Sequence, residues 1–152
     1  MEEKKMQVAA LRNGTVIDHI PAHKLFKVFS ILRLENCKEM ITVGNNLNSR
    51  TLGKKGIIKI SDRFFEEEET NKIALIAPNA KINIIKEYEV VEKRPLELPE
   101  DVREIVQCPN PACITNHQAV KTFFHVVSDE NTHLLKCHYC EKEAKLEEVK
   151  IK

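Results

Sequence analysis

An α+β chain in two parts is what this sequence predicts: a sheet-and-helix sandwich first, then a small all-β domain stapled by cysteines. Three observations carry that expectation. Over residues 15–91, β-branched runs and two helical stretches follow in the order strand, helix, strand, strand, helix, strand. Four cysteines, Cys108, Cys113, Cys137 and Cys140, fall in two tight pairs spaced C-x4-C-x23-C-x2-C. Between these regions lies KRPLELPEDVREIVQ (93–107), where Pro95 and Pro99 remove backbone donors and bias their preceding residues away from helix. The domain boundary is placed there, giving 1–98 and 99–152.

Each element has a local reason. TVIDHI (15–20) follows the turn residue Gly14 and is β-branched. AHKLFKVFSILRLE (22–35) sets Leu25, Val28, Phe29 and Leu32 on one helical face, with Pro21 near its start. MITVGNNL (40–47) alternates, and KGIIKIS (55–61) alternates again after Gly53. Asp62 is the expected N-cap of a second helix, whose first turn gains from the acidic run Glu66–Glu69 near the helix dipole. That helix carries Ile73, Leu75 and Ile76 and ends by Pro78, after which AKINIIKEYEVV (80–91) supplies one or two strands. A short strand is expected over MQVAAL (6–11), and a short helix over EDVREIVQ (100–107). The βαββαβ order is that of a ferredoxin-like sandwich, an antiparallel sheet with both helices on one face.

Composition excludes several classes. With 42% hydrophobic and 31% charged residues the chain is globular, not disordered. No apolar run reaches membrane-spanning length, and no signal-peptide core follows the charged start MEEKKMQ, so a cytoplasmic protein with no membrane partner is expected. Residues 1–99 carry 17 Lys/Arg against 14 Asp/Glu, whereas residues 108–152 carry six of each. Four thiolates around one Zn²⁺ would make the second part slightly acidic. A ribbon that grips phosphate backbones needs the opposite sign, so no nucleic-acid partner is expected.

Two cysteine knuckles brought face to face supply the four soft ligands of a tetrahedral Zn²⁺, and a reducing compartment favours that over a pair of disulfides. Such a closed site keeps no open position for substrate; it holds a small zinc-ribbon-like domain together. His138, inside the second knuckle, is not needed as a ligand. Cys37 has no partner nearby in sequence.

At GTVIDHIPA (14–22) the chain resembles a known family, the regulatory chain of bacterial and archaeal aspartate carbamoyltransferase. The resemblance continues through ITVGNNL (41–47), GKKGIIKI (53–60), LIAPNAKIN (75–83), YEVVEKRP (88–95), CPNPACI (108–114) and LKCHYCEK (135–142), spanning essentially the whole chain. It implies an allosteric domain that pairs with a second regulatory chain, and a zinc domain that docks on catalytic trimers. The effectors so implied are nucleoside triphosphates: CTP typically inhibits, ATP typically activates, and UTP acts with CTP in some members. The chain itself is implied to catalyse nothing in this step of pyrimidine biosynthesis.

The same resemblance implies site residues. Lys59 and Lys93 match the family's phosphate- and ribose-contacting lysines. Asp18 and His19 match a pair beside the ribose and phosphates. Val8, Ala10 and Leu11 match a segment whose backbone reads the base, and Ile85, Tyr88 and Val90 match residues lining the pocket. Asn110, Tyr139, Glu141 and Lys142 lie where contacts with the catalytic chain form. Two positions depart from the enteric-type pattern: Ala112 stands where that pattern has an asparagine, and Ala9 where it has an acidic residue.

Read singly, these residues are ordinary. A lysine on a half-buried strand is usually solvated, and Lys54–Lys55 reads as surface charge. An Asp–His pair invites a catalytic reading, but no nucleophile motif or Gly-rich phosphate loop accompanies it. The rival readings are a small enzyme built on Asp18 and His19, a nucleic-acid-binding zinc ribbon, and a crosslinker of catalytic trimers with little nucleotide response.

Overall fold

In a computed structural model the structure describes residues 10–129, 132–146 and 148–151. The chain divides into two compact units, Met1–Glu97 and Leu98–Lys152.

The first unit is built on a five-stranded sheet in the order β2-β3-β1-β4-β5, every neighbouring pair antiparallel. Its strands are β1 (Gly14–Pro21), β2 (Ile41–Ser49), β3 (Gly53–Ser61), β4 (Lys81–Lys86) and β5 (Glu89–Arg94). The first four have the ferredoxin-like arrangement, and β5 extends the β4 edge as a hairpin. Gly14 is required where β1 meets β3, because a Cβ there would stand 2.0 Å from the Ile60 carbonyl oxygen. Helix α1 (Leu25–Ile31) packs on β3 and against the 3-10 turn Lys72–Leu75 that follows helix α2 (Glu67–Asn71). Ile17, Ile20, Leu25, Val28, Leu34, Ile58, Ile60, Ile73 and Ile82 form a core closed to solvent. Each such side chain contributes roughly 1.5–3 kcal/mol of burial. The buried hydroxyls of Thr15 and Thr70 are satisfied, the first donating to the Arg63 carbonyl at 2.7 Å and the second to that of Glu67 at 3.1 Å.

Several expected boundaries move. The helix read over 22–35 splits into a 3-10 turn (Ala22–Lys24), α1, and a second 3-10 turn (Leu34–Asn36). Arg33 takes a left-handed conformation (φ 53°) at the break, which returns Leu34 to the core at 1% exposure. Asp62 is not an N-cap: it ends β3 with φ 57°, and its amide donates to the Asn13 carbonyl at 2.9 Å. The cap is Glu66, in a reciprocal capping box with Glu69. The helix expected over 100–107 is a strand, β6 (Asp101–Arg103), followed by β7 (Val106–Gln107). Val102 is buried between exposed Asp101 and Arg103, and Val106 is buried beside exposed Gln107, an alternation within each short strand that the acidic start of the segment obscured. The strand expected over 6–11 falls largely outside the described residues, and Ala10 and Leu11 lie in no strand.

Among its described residues the second unit is all-β apart from one 3-10 turn (Ile114–Asn116). Strands β6, β8 (Phe123–Asp129), β9 (Thr132–Cys137) and β10 (Glu143–Lys145) form an antiparallel sheet in the order β10-β9-β8-β6. A two-stranded pair joins β7 to β11 (Lys150–Ile151). Phe124, Leu135, Val102, Val106, Ala144 and Val149 make a small core beside the buried cysteines. Among the described residues, no helix is long and apolar enough to cross a membrane.

Candidate functional site

Two constellations stand out, one in each unit. The first lies on the sheet face turned away from the helices. Strand register decides membership, because residues directly opposite one another share a face. Val16 pairs with Lys59 on one side and Asn83 on the other, Asn83 pairs with Lys93, and Asp18 pairs with Lys81. Three expected residues, Asp18, Lys59 and Lys93, therefore fall on one face. Val16, Ile57 and Ile85 form a buried apolar floor there, with Leu11 and Leu47 packed against it.

A β-bulge brings His19 to the same place. Between Ile17 and Ile20, β1 has one residue more than β3, since Ile17 pairs with Ile58 and Ile20 with Gly56. Both isoleucines remain fully buried on the helix side. Asp18 and His19 share the space opposite Ile57, and His19 takes φ 58° to do so. The Asp18 carboxylate accepts the His19 backbone amide at 2.6 Å and lies 3.6 Å from His19 Nδ1, a buried nitrogen with no hydrogen bond. Lys55 Nζ stands 2.9 Å from Asp18 Oδ1, so Lys55 belongs to this cluster and not to the bulk surface charge. Its neighbour Lys54 instead donates to Asn48 Oδ1 at 2.7 Å. Burial pulls the Lys59 ammonium below the ordinary lysine range, and the charge of Asp18 opposes that pull only in part.

The remaining expected residues sit at the rim. Val90 pairs with Ile85 but is 48% exposed. Tyr88 is 65% exposed in the two-residue turn Glu87–Tyr88, where both residues have positive φ. Its amide donates to the Arg12 carbonyl at 2.9 Å, which ties the turn to the segment after Leu11. Ala10 is exposed, and Val8 lies outside the described residues. Sequence reasoning passed over Asn83 and Lys55. Asn83 was visible as the lone polar residue inside KINIIK, and Lys55 only through the register of β3.

The second constellation is the cysteine cluster. Cys108 and Cys113 flank a turn after β7, and Cys137 and Cys140 flank the turn between β9 and β10. The four sulfurs lie within 4.8 Å of one another. Cys108 and Cys140 are 3.7 Å apart, as are Cys113 and Cys137. Four sulfurs at 2.3 Å from one tetrahedral ion stand about 3.8 Å apart, whereas a disulfide closes to about 2.05 Å. The donor set therefore fits a metal ion.

Local hydrogen bonds shape both knuckles. Asn116 Nδ2 donates to the carbonyls of Cys108 (3.0 Å) and Asn110 (2.7 Å), and Thr115 Oγ1 donates to Cys113 Sγ at 3.2 Å. The Cys137 amide donates to the Lys142 carbonyl, and the Glu141 amide to that of Cys137, both at 3.0 Å. Burial pushes the Cys108 thiol up to about 12, against the Asn110 amide that favours its thiolate. Burial raises Cys140 too, but the Asn110 side chain, the Lys142 amide and the neighbouring thiols outweigh it and leave Cys140 at about 7. Of the expected docking residues, Tyr139, Glu141 and Lys142 are exposed and Asn110 is half-buried, its side chain accepting the Ala112 amide at 3.1 Å.

A sheet domain with a lysine-rich, apolar-floored face, joined to a thiolate metal ribbon and lacking any nucleophile motif, has the build of a ligand-responsive regulatory subunit. The family model for the aspartate carbamoyltransferase regulatory chain, allosteric domain, matches residues 6–97, and the model for its metal binding domain matches residues 100–150. The aspartate carbamoyltransferase regulatory chain of Bacteroides fragilis is 56% identical over 153 residues, covering 99% of each chain. That of Bacteroides thetaiotaomicron shows the same identity and coverage. That of Pyrococcus abyssi is 48% identical, covering 95% of this chain and 96% of its own. This chain belongs to the family of aspartate carbamoyltransferase regulatory chains: it is a non-catalytic subunit with an allosteric and a metal-binding domain.

Proposed function

We propose that the first unit binds CTP and ATP on the lysine-rich sheet face, with UTP acting beside CTP, and that the second unit holds one Zn²⁺ and docks on the aspartate carbamoyltransferase catalytic chain. The observation that carries the nucleotide reading is the convergence of Asp18, Lys55, Lys59, Lys81, Asn83 and Lys93 on one face over the floor of Val16, Ile57 and Ile85. A nucleoside triphosphate needs cations for its phosphates, an acceptor for ribose hydroxyls and an apolar bed for its base. Lys59 and Lys55 supply the first with His19, Asp18 the second, and Leu11 and Ile85 the third. Lys93, Tyr88 and Val90, with the backbone of Val8 and Ala10, complete the rim.

In the second unit, Cys108, Cys113, Cys137 and Cys140 hold the ion as thiolates. Structural zinc contributes an apparent 10–16 kcal/mol, roughly, in small domains, enough to decide whether they fold. The knuckles so fixed present Asn110, Tyr139, Glu141 and Lys142 to a catalytic trimer, and pairing with a second regulatory chain bridges two trimers in the cytoplasm. The nucleotide acts by binding one quaternary state more tightly. A coupling of about 1–3 kcal/mol changes aspartate affinity several-fold to about a hundredfold.

Aspartate saturation curves of the cognate catalytic trimer, with and without the metal-loaded chain and with CTP or ATP, test this. A sigmoidal curve that nucleotides shift is expected. Assembly without any shift would leave a crosslinker whose nucleotide face is idle, and failure to assemble would sink the docking reading.

A further inference from the structure

We propose that Arg12, Asn13 and Glu87 are positioning residues for the base of the nucleotide: they latch the turn between β4 and β5 onto residues 10–13, and the latch sets how tightly the base is held. This rests on the nucleotide reading given above and adds residues which that reading does not use. Four hydrogen bonds make the latch. Arg12 Nη2 and Nε stand 3.3 and 3.4 Å from Glu87 Oε2. The Glu87 amide donates to Asn13 Oδ1 at 3.1 Å, and the Tyr88 amide donates to the Arg12 carbonyl at 2.9 Å. Leu11, one residue before Arg12, packs against the floor of Val16, Ile57 and Ile85. Ile85 in turn lies two residues before Glu87. Both sides of the latch therefore run directly into the apolar bed that receives the base.

The turn needs something to hold it. Lys86 pairs with Glu89, which leaves Glu87 and Tyr88 as a two-residue hairpin loop. Their φ values are 51° and 66°, the signs of a type I′ turn. Such turns favour Asn-Gly, because a larger side chain is crowded in the left-handed region. Among the described residues, no other two consecutive ones have positive φ. Strained positions of this kind persist where their surroundings over-determine them, and they gather at ligand sites. Here both strained amides are tied to Arg12 and Asn13. The dependence is mutual, since residues 10–13 lie in no helix or strand and no sheet ladder fixes them. The ion pair is exposed, 64% and 72% of the two side chains, so it adds little to folding. Its effect is on order: a segment already held in its bound conformation does not have to be ordered during binding, and affinity rises accordingly.

The test is isothermal titration of the metal-loaded full chain with CTP, ATP and inorganic tripolyphosphate, the last probing the phosphate contacts without a base. Glu87→Arg sets two cations against each other across the latch. It should weaken CTP and ATP binding about three- to tenfold while tripolyphosphate binds no more weakly, whereas an added positive charge alone would strengthen all three. Adding Arg12→Glu to that variant rebuilds the pair with its polarity reversed and should recover most of the loss. Asn13→Ala, which removes the acceptor of the Glu87 amide, should lose nucleotide affinity to a similar extent. Urea melts of the charge variants should barely move, because the pair is exposed. Equal CTP affinity in wild type and Glu87→Arg, or a double exchange as weak as the single one, overturns the latch and leaves the nucleotide reading standing. A wild-type chain that binds neither CTP nor ATP overturns both.

Discussion

The Lys55 ammonium rests 2.9 Å from the Asp18 carboxylate, with only about a fifth of either side chain open to solvent. The pair joins β3 to the bulge of β1 and neutralises an acid that would otherwise repel a phosphate. Asp18→Ala should leave Lys55 and Lys59 facing each other without the intervening charge. A loss on the order of 1 kcal/mol in urea denaturation is expected, since partly exposed pairs are worth little. Nucleotide affinity should fall by a larger factor, about tenfold, in isothermal titration. An unchanged affinity would remove Asp18 from the site.

Lys59 offers a pH signature. Its ammonium is held below the ordinary lysine range by burial, so the charge that a triphosphate needs is lost earlier on the alkaline side than the usual value of 10.5 implies. Affinity should be level near neutrality and decline as pH rises through the lowered value. Lys59→Met should flatten that decline, abolish the nucleotide effect on aspartate saturation and spare assembly. The sign for stability is opposite. The unfolded chain binds this proton more readily than the folded one, so stability should rise with pH across the same window, and Lys59→Met should stabilise the nucleotide-free chain.

Metal removal should divide the chain by unit. Chelation, or Cys137→Ser, is expected to unfold residues 98–152, whose core is small, while hydrogen exchange in β1, β3 and β4 stays slow. Sedimentation should then show free catalytic trimers. An intact complex carrying Cys137→Ser would break the link between the metal and docking.

Gly56→Ala probes the helix-facing side of the sheet. The added methyl would stand 2.7 Å from Leu25 Cδ1 and 3.0 Å from Asn45 Oδ1. Leu25 is fully buried and has nowhere to move. Destabilisation of about 1–3 kcal/mol is expected in thermal or urea melts. A neutral result would mean that α1 can lift from β3.

The sequence was most legible where one physical pattern dominated. Alternation located β2 and β3, and the cysteine spacing located the metal centre, because both are patterns of residue type and spacing that are written along the chain. The segment 100–107 was misread because its charges suit an exposed helix, while the pairing of Val102 with Phe124 that makes it a strand is long-range. Asp62 has the chemistry of a cap, but the chain needed a left-handed residue to leave β3, and the cap fell to Glu66. Lys55 looked like solvated charge because its partner is 37 residues away, reachable only once the two strands are laid side by side. Asp18 and His19 were readable as a pair, yet neighbours in a regular strand face opposite sides. Only the bulge, which no propensity announces, makes them act together.

That bulge separates what the sheet needs from what the chain does with it. Ile17 and Ile20 are three positions apart and still share the buried face, which a flat strand forbids. Excise His19 and the two isoleucines become next-but-one neighbours, the ladder closes into uninterrupted pairing and the left-handed residue disappears. The shortened chain would lose nothing from its core. A search for the most regular, most durable version of this sheet would therefore discard His19 early, and the histidine and its turned backbone would go without any warning from a melting curve.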